Sequence, residues 1–424
     1  MRINVHDGFQ FAVFTLCVGW TLSVRATGFR LPDQDAFATG RGEAFVATAD
    51  NPSAIYYNPA GISQLEGNNL RAGVYGIDLD PQFQPPGGAP NAGQTYDNQL
   101  KYHAIPQFYY TYTPKDWIAS FGLGVYTPFG LGVIWPQDTG FNTVATEGKL
   151  FSDTINPVVS FKLLPSLSFG GGIMVNYAQI KLQQGIAPIP PAASGASMFS
   201  FDGDGWNVGF NLGALWQPIQ QLSFGATVRS GTTMNFKGQT ETILPPFYPN
   251  TSPNFSSANS KWSFPLDVAG GVSYRPTEKW NLEFDADYTD WGTLGTVNLN
   301  QSTPPFFMGS TTPIPLNWSS SWYFEWGATR YLDHGWHVNA GYIFNQNSVP
   351  NPNYTPFVAD MNRHFLSVGL GRKGKNLDFD IAYQFGYGPN HTVSGSTVDL
   401  AGQSANGTYS FISHAISASV GWHF

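Results

Sequence analysis

Apolar and polar residues alternate with a period of two along most of this chain, a pattern that predicts β-strands with one greasy face. In residues 280–288, Trp280, Leu282, Phe284, Ala286 and Tyr288 share one face, and Asn281, Glu283, Asp285 and Asp287 the other. In 336–344, Trp336, Val338, Ala340, Tyr342 and Phe344 oppose His337 and Asn339. In 377–387, Leu377, Phe379, Ile381, Tyr383, Phe385 and Tyr387 oppose Asp378, Asp380 and Gln384. About fourteen such segments can be marked along the chain. A β-sandwich also alternates. What favours membrane strands is the recurrence of large aromatics at the ends of one face, where membrane interfaces collect them.

The connections sort by length. Short turns lie near Pro114-Lys115-Asp116, Leu164-Pro165-Ser166, Pro218-Ile219-Gln220, Pro276-Thr277-Glu278, Asp333-His334-Gly335 and Lys373-Gly374-Lys375. Long segments rich in Pro, Ser, Thr, Asn and Gly lie between them, near 81–100, 127–150, 183–203, 239–261, 293–317, 348–361 and 389–409. Six short and seven long connections give fourteen strands with both ends on the short-turn side. Bacterial outer-membrane barrels have this asymmetry of periplasmic turns and extracellular loops; a sandwich has no cause to produce it. The last strand places Ile412, His414, Ile416, Ala418, Val420, Trp422 and the terminal Phe424 on one face. Its aromatic terminus resembles the recognition signal of the outer-membrane assembly machinery, a predicted partner. An ordinary edge strand is the plainer alternative, but left unpaired it would invite aggregation.

Composition removes competing classes. Only 11% of residues are charged, against about a quarter in a soluble domain. Beyond the first thirty residues no run of about 18 apolar residues exists to form a transmembrane helix. Aromatics reach 16%, beside 47 Gly and 31 Pro, which suits many short strands and turns rather than disorder. Residues 1–26 read as a secretory signal peptide, with Arg2, an apolar Phe9–Val18 core and a Val24-Arg25-Ala26 cleavage site. The single Cys17 falls within it, and Phe14-Thr15-Leu16 is a poor lipobox, so the mature chain has no disulfide. Removing Arg2, Arg25 and Asp7 leaves 18 basic and 27 acidic residues, a net of -9. That balance does not favour nucleic acid.

Residues 27–66 do not alternate. Gly40, Gly42 and Gly61 mix there with small residues and helix-start cues, Asp50 before Asn51-Pro52 and Asn58 before Pro59. A barrel of eight strands is filled by its own side chains, whereas sixteen to eighteen leave a water channel. Fourteen leave a hole, and an apolar solute gains nothing from a wet one. A compact plug from 27–66, followed by a barrel from 67–424, turns the hole into pockets.

Gly28-Phe29, Gly40-Arg41-Gly42 and Asn58-Pro59-Ala60 followed by Gly61-Ile62 resemble the N-terminal hatch of the FadL/TodX family of outer-membrane transporters for long-chain fatty acids and aromatic hydrocarbons. Gly122-Leu123-Gly124-Val125-Tyr126-Thr127-Pro128-Phe129-Gly130-Leu131 looks like that family's third strand and the following loop. The resemblance covers essentially the whole mature chain. It implies a 14-stranded antiparallel transmembrane β-barrel in the Gram-negative outer membrane with a small, partly helical hatch in its lumen. It also implies passive transport without cofactor: capture in a groove of the extracellular regions, transfer to a pocket bounded by the hatch, and sideways exit at a kinked third strand. Such a route bypasses the lipopolysaccharide layer, which, with outer-membrane lipid, is the expected surrounding.

Candidate substrate contacts follow. The segment 127–150 offers Phe129, Leu131, Val133, Ile134, Trp135 and Phe141, and the next long loop Ile186, Ile189, Met198, Phe199 and Phe201. As a group they suit a greasy groove; singly, each can equally pack loop against loop. Phe29, third from the expected mature N-terminus, sits where the family places a mobile aromatic. Asn58 and Pro59 suit a helix cap and first turn, with Ala60 completing the hatch motif. Gly122, Gly124 and Pro128 are candidates for a lateral gap, because Gly and Pro weaken ladder pairing. Parity turns Arg229 inward, and Arg363 with Ser367 and Gly369 as well; with Arg41, these basic groups suit a carboxylate headgroup. Glu283, Asp285, Asp287, Glu325, Asp378 and Asp380 share the inward face, so ion pairs that anchor the plug are the favoured alternative.

Enzymatic motifs are missing: no Gly-x-Ser-x-Gly elbow, His-Glu-x-x-His or phosphate loop occurs. Asp202-Gly-Asp204-Gly205 lacks the later ligands of a calcium loop. His334 and His337 flank a turn and read as solvated rather than metal-bound. Three rivals stay open: a porin for polar solutes, a barrel-embedded lipid hydrolase, and an adhesive or structural barrel.

Overall fold

The computed structural model describes residues 28–186, 197–244, 253–399 and 401–424; the segment 1–26, expected as a signal peptide, and Ile189 lie outside them. The wall is a closed antiparallel barrel of fourteen strands. In chain order these are β1 (Gly67–Gln84), β2 (Tyr102–Thr113), β3 (Ala119–Tyr126), β4 (Glu147–Leu164), β5 (Leu167–Gly185), β6 (Met198–Ile219) and β7 (Leu222–Arg229). They continue as β8 (Asp267–Thr277), β9 (Trp280–Thr289), β10 (Ser321–Tyr331), β11 (Trp336–Asn345), β12 (Arg363–Lys373), β13 (Leu377–Val393) and β14 (Gly407–His423). Each wall strand pairs with its neighbour in sequence, and β14 closes on β1 from Asn69 opposite His423 to Gln84 opposite Thr408. Closure leaves no free edge along the terminal strand.

Outward residues are the apolar ones. Leu282, Phe284, Val338, Ile381, Ile416 and Val420 are exposed on the wall, while Asn281, Glu283, Asp285, Asn339 and Ser417 are buried within it. On β9, Trp280 and Tyr288 bracket the apolar face eight residues apart, or about 20 Å along the axis of a strand tilted near 40°, a span that fits an apolar band between two aromatic girdles.

The long connections are more regular than their composition suggests. Residues 230–266 contain a hairpin, Thr232–Ile243 with Asn254–Phe264, whose first strand pairs with the top of β6. A second hairpin, Thr296–Gln301 with Thr311–Pro315, pairs onto the first. The segments expected as loops near 239–261 and 293–317 thus extend the wall outward as sheet. Their strands are rich in Thr, Ser and Asn and lack the fatty stripe that made the membrane strands legible.

Residues 28–66 fill the bore. They form α1 (Ala36–Gly40), α2 (Ala54–Tyr57) and a 3-10 turn, Pro59–Gln64. Asp35 caps α1, and Asn58 caps the 3-10 turn, with Pro59 at its start. Asp50, expected to begin a helix, instead joins Lys373 of β12 at 3.2 Å, and α2 starts after Ser53. Polar groups tie this plug to the wall around its circumference. Gln107 of β2 donates to the Asp33 carbonyl, Ser160 of β4 to the Ala60 carbonyl, Ser223 of β7 to the Ala47 carbonyl, and Gln384 of β13 to the Asp33 carboxylate. Charged anchors add Arg41 to Glu283 at 3.1 Å and Arg71 to both Asp35 and Asp380. His337 belongs to this set. It is buried, 2.7 Å from Asp380 and edge-on to Phe37, so the expectation of a solvated ring fails because its strand turns it into the packed bore.

Glycines make the close fit possible. A side chain at Gly213, Gly225, Gly327 or Gly341 would strike Asn58, Val46 or the Arg41–Gly42 backbone. Gly122 and Gly124 serve the same purpose: they are laddered to β2 and β4, and a side chain on either would meet Ile55 at 2.8 Å. They leave the wall closed, so the lateral-gap expectation fails at these two positions.

Gly341→Val will therefore lower stability by about 1–3 kcal/mol through overpacking. Gly270→Ala, where nothing lies within 4 Å, will not. The temperature at which the compact barrel loses its fast electrophoretic mobility in detergent reads both; equal midpoints would refute the packing role of Gly341.

Candidate functional site

The wall breaks at one place among the described residues. β3 pairs with β2 only from Phe108 opposite Val125 down to Tyr112 opposite Phe121. Beyond Tyr126 the chain leaves the ladder through Thr127-Pro128-Phe129, then resumes as a short strand, Gly130–Ile134, that pairs with β4 alone. The upper half of β2, Tyr102–Gln107, therefore has β1 on one side and no strand on the other. The slot closes at its top, where Gln99 N–H donates to the Ile134 carbonyl at 2.8 Å and Asn98 accepts from Ile134 N–H at 2.9 Å. Pro128, unlike the two glycines, lies in this break.

The hatch supplies what the broken strand lacks. Gly130 N–H donates to the Phe29 carbonyl, and Leu31 N–H to the Pro128 carbonyl, both at 2.9 Å. Arg30, between them, is held by Asp267 at 2.6 Å and Asp287 at 2.5 Å. Arg229 joins the same Asp267, donates to the Tyr56 carbonyl at 2.7 Å, and lies 4.1 Å over the Tyr56 ring. A buried guanidinium without such partners would carry a severe desolvation cost. The four charges thus fix the start of the hatch against β7, β8 and β9.

A cavity of about 390 Å³ occupies the slot. Inward residues Leu31, Ile77, Leu79, Leu131, Leu150 and Phe411 line it, together with Tyr102, Ala104 and Phe151 from the outward face. Its polar lining includes Arg30, His103, Thr127 and Arg363. Arg363 donates to the Ala359 carbonyl at 3.1 Å, sits 3.5 Å from Asp360 and lies over the Phe411 ring. Burial raises the Asp360 carboxyl above the usual range, with Arg363 and three backbone N–H donors pulling the other way. From the slot a seam of small apolar voids runs upward. The first is bounded by Phe29, Leu131, Ile180, Trp262, Leu316 and Phe357, and the next by Leu182, Phe199, Phe201 and Leu299. Phe29 stands where slot and seam meet, its ring 4.7 Å from Trp291, 5.5 Å from Trp318 and 5.9 Å from Phe264.

The candidate contacts divide accordingly. Phe29, Leu131 and Arg363 line the slot; Phe199 and Phe201 line the upper seam. Phe129 and Arg229 line a smaller void on the other side of the Phe29 cluster. Trp135 and Phe141 line none of these cavities: Trp135 donates to the Pro356 carbonyl at 2.9 Å and packs on Phe141, which packs on Phe83. Loop packing accounts for both. Ile134 ends the short strand, outside these cavities, and Asn58, Pro59 and Ala60 sit at the hatch–wall contact. Sequence inspection missed Arg30, Asp267, Trp291 and Trp318. Arg30 follows Phe29 directly, and only its charge in an otherwise apolar stretch marked it.

Comparison with known proteins places this geometry. The family model described as outer membrane protein transport protein (OMPP1/FadL/TodX) matches residues 17–424. A long-chain fatty acid transport protein of Salmonella typhi is 22% identical over 402 residues, covering 85% of this chain and 88% of that one. The crystal structure of a Pseudomonas aeruginosa FadL homologue superposes with a TM-score of 0.80 at 18% identity, covering 94% of this chain and 100% of that one. The Pseudomonas putida toluene transporter TodX gives a TM-score of 0.71 at 16% identity, with the same coverages.

Asp267→Asn removes the carboxylate that Arg30 and Arg229 share, leaving Arg229 with none, at a cost of up to about 3–5 kcal/mol for a broken buried pair. Amide hydrogen exchange at Leu31 and Gly130 is expected to quicken at least tenfold, with β13 and β14 unchanged. Unaltered exchange at those two amides would show that the charges do not hold the hatch strand.

Proposed function

This chain belongs to the OMPP1/FadL/TodX family of outer membrane transport proteins, and we propose that it takes up hydrophobic compounds, long-chain fatty acids or hydrocarbons, by passive diffusion through the barrel wall. It is an outer-membrane β-barrel and a transport protein rather than an enzyme. The observation that carries the cargo reading is a row of separate apolar voids that share lining residues, from the extracellular hairpins past Phe29 to the slot beside β2. Water-soluble solutes gain nothing there, whereas each buried methylene is worth about 0.8 kcal/mol.

In this reading solute enters among Phe199, Phe201 and Leu299, passes Phe29 beside Leu131 and Leu150, and leaves past Ala104 into lipid. Arg363 offers a polar contact at the slot, and Phe129 and Arg229 flank the void beyond Phe29. The porin alternative needs an open bore, but Arg41, Ala36 and Asn58 of the hatch are wholly buried there. Residues 1–26 are the export signal and 27–66 the hatch, while the exposed terminal Phe424 is the proposed handle for the assembly machinery. Lipopolysaccharide and outer-membrane lipid are the proposed surroundings.

Labelled oleate and toluene uptake in a strain lacking its own transporter tests the proposal. Expression of this chain is expected to raise uptake of at least one; equal uptake with and without it would end the claim for both cargoes. Ala104→Trp, which fills the outer mouth of the slot from a lipid-facing position, is expected to cut that uptake about tenfold or more. Full uptake by the folded variant would exclude this exit.

A further inference from the structure

The lipid-facing wall carries a second concavity, remote from the slot. Ala328 and Ala340 face each other across β10 and β11, beside the side-chain-free pair Gly327 and Gly341. Around this low floor stand Trp326 and Tyr342, with ring centres 5.4 Å apart, and Phe284, 5.2 Å from Trp326. Leu282 and Tyr274 complete the border of a groove of about 580 Å³. One small pair among large aromatics makes a furrow as deep as a side chain.

Just toward the short-turn end lie two arginines on the same outer face. Arg330 is two residues beyond Ala328 on β10 and lies 5.0 Å over the Trp280 ring. Arg372 of β12 lies 5.9 Å over Trp336 and donates to the His334 carbonyl at 3.2 Å. Among the described residues neither has a carboxylate within ion-pair distance, unlike Arg30, Arg41, Arg71, Arg229, Arg275 and Arg363. The register keeps them close: Arg330 pairs with Val338, Val338 with Leu370, and Arg372 lies two residues beyond Leu370. Two unpaired guanidinium groups on tryptophans, at the rim of a membrane barrel, stand at the depth of lipid headgroups.

We infer that this groove and the two arginines form a binding site for one phosphate-bearing diacyl lipid of the periplasmic leaflet. One acyl chain lies over Ala328 and Ala340 between Trp326 and Leu282, and the phosphate accepts hydrogen bonds from Arg330 and Arg372, a geometry guanidinium groups favour. The charges argue against a second copy of the chain on this face. A two-fold contact would set the same arginines of both copies against one another.

The full chain, purified in mild detergent and stripped of lipid, tests the site by native mass spectrometry with added dioleoylphosphatidylglycerol or dioleoylglycerol. One phosphatidylglycerol per chain is expected to persist, with dioleoylglycerol retained at least tenfold less. Arg330→Gln with Arg372→Gln is expected to reduce retention about tenfold. Ala340→Phe, which fills the groove on a lipid-facing position, is expected to abolish it, with barrel mobility checking the fold of each variant. Equal retention of both lipids, or retention unaffected by the variants, means general boundary lipid and overturns the site. A dimer lost on Ala340→Phe overturns it in favour of self-association.

Discussion

A closed wall of fourteen strands encloses a bore wider than its own side chains can fill, and the rest of the molecule follows from the need to fill it with backbone. Irregular backbone inside a membrane barrel brings N–H and C=O groups that no strand ladder satisfies, and each one left unpaired in a buried site costs about 1–3 kcal/mol. The wall answers with acceptors. Glu283 takes N–H donors from Ala47 and Thr48, and Asp285 takes that of Val46. The inward carboxylates that outnumber the arginines are therefore not a surplus awaiting cationic cargo. Glu283 and Asp285 are the hydrogen-bond partners of a segment that lacks regular structure of its own, while Asp378 and Asp380 bond groups of the wall itself.

The same constraint explains the glycines. A hatch lying flat against β6, β7, β10 and β11 brings its main chain to within van der Waals contact of theirs, and only a residue without Cβ permits that at Gly213, Gly225, Gly327 and Gly341. On the outer face of the same two strands, the next pair, Ala328 and Ala340, leaves a furrow among larger side chains. Inner seating and outer groove are two sides of one stretch of wall.

What could be read from the chain was what is local. Period-two alternation and turn chemistry act over a few residues, so the fourteen strands, the six short turns and the inward parity of Arg229 were legible. Contacts between distant segments were not. Trp135 and Phe141 looked like groove residues, but their partners, Pro356 and Phe83, lie far off in sequence. His337 was read by its nearness to a turn, while its burial depends on Asp380 and Phe37. Gly122 and Gly124 suggested a weak ladder because glycine weakens strands on its own; the side chain of Ile55, which needs their space, belongs to another element. The hairpins in 230–266 and 293–317 escaped because they stand in water, where no lipid face imposes a pattern.

The break in the wall and the start of the hatch are one structural event. Thr127 to Phe129 abandon the ladder, and the amide and carbonyl groups freed on either side of Phe129 are met by Phe29 and Leu31. Phe29 cannot shift without straining the bond from Gly130, and its ring stands where seam and slot share lining residues. Under the proposed route, a solute passing that point displaces the ring and so loads the hydrogen bonds that hold the broken strand. Arg30 resists, because its two carboxylates lie on β8 and β9, outside the path. The proposed route thus asks for a turn of the Phe29 ring, with the neighbouring Arg30 held by its two carboxylates. On that proposal apolar cargo passes beside a plug that stays buried in the bore, so that no aqueous channel need open.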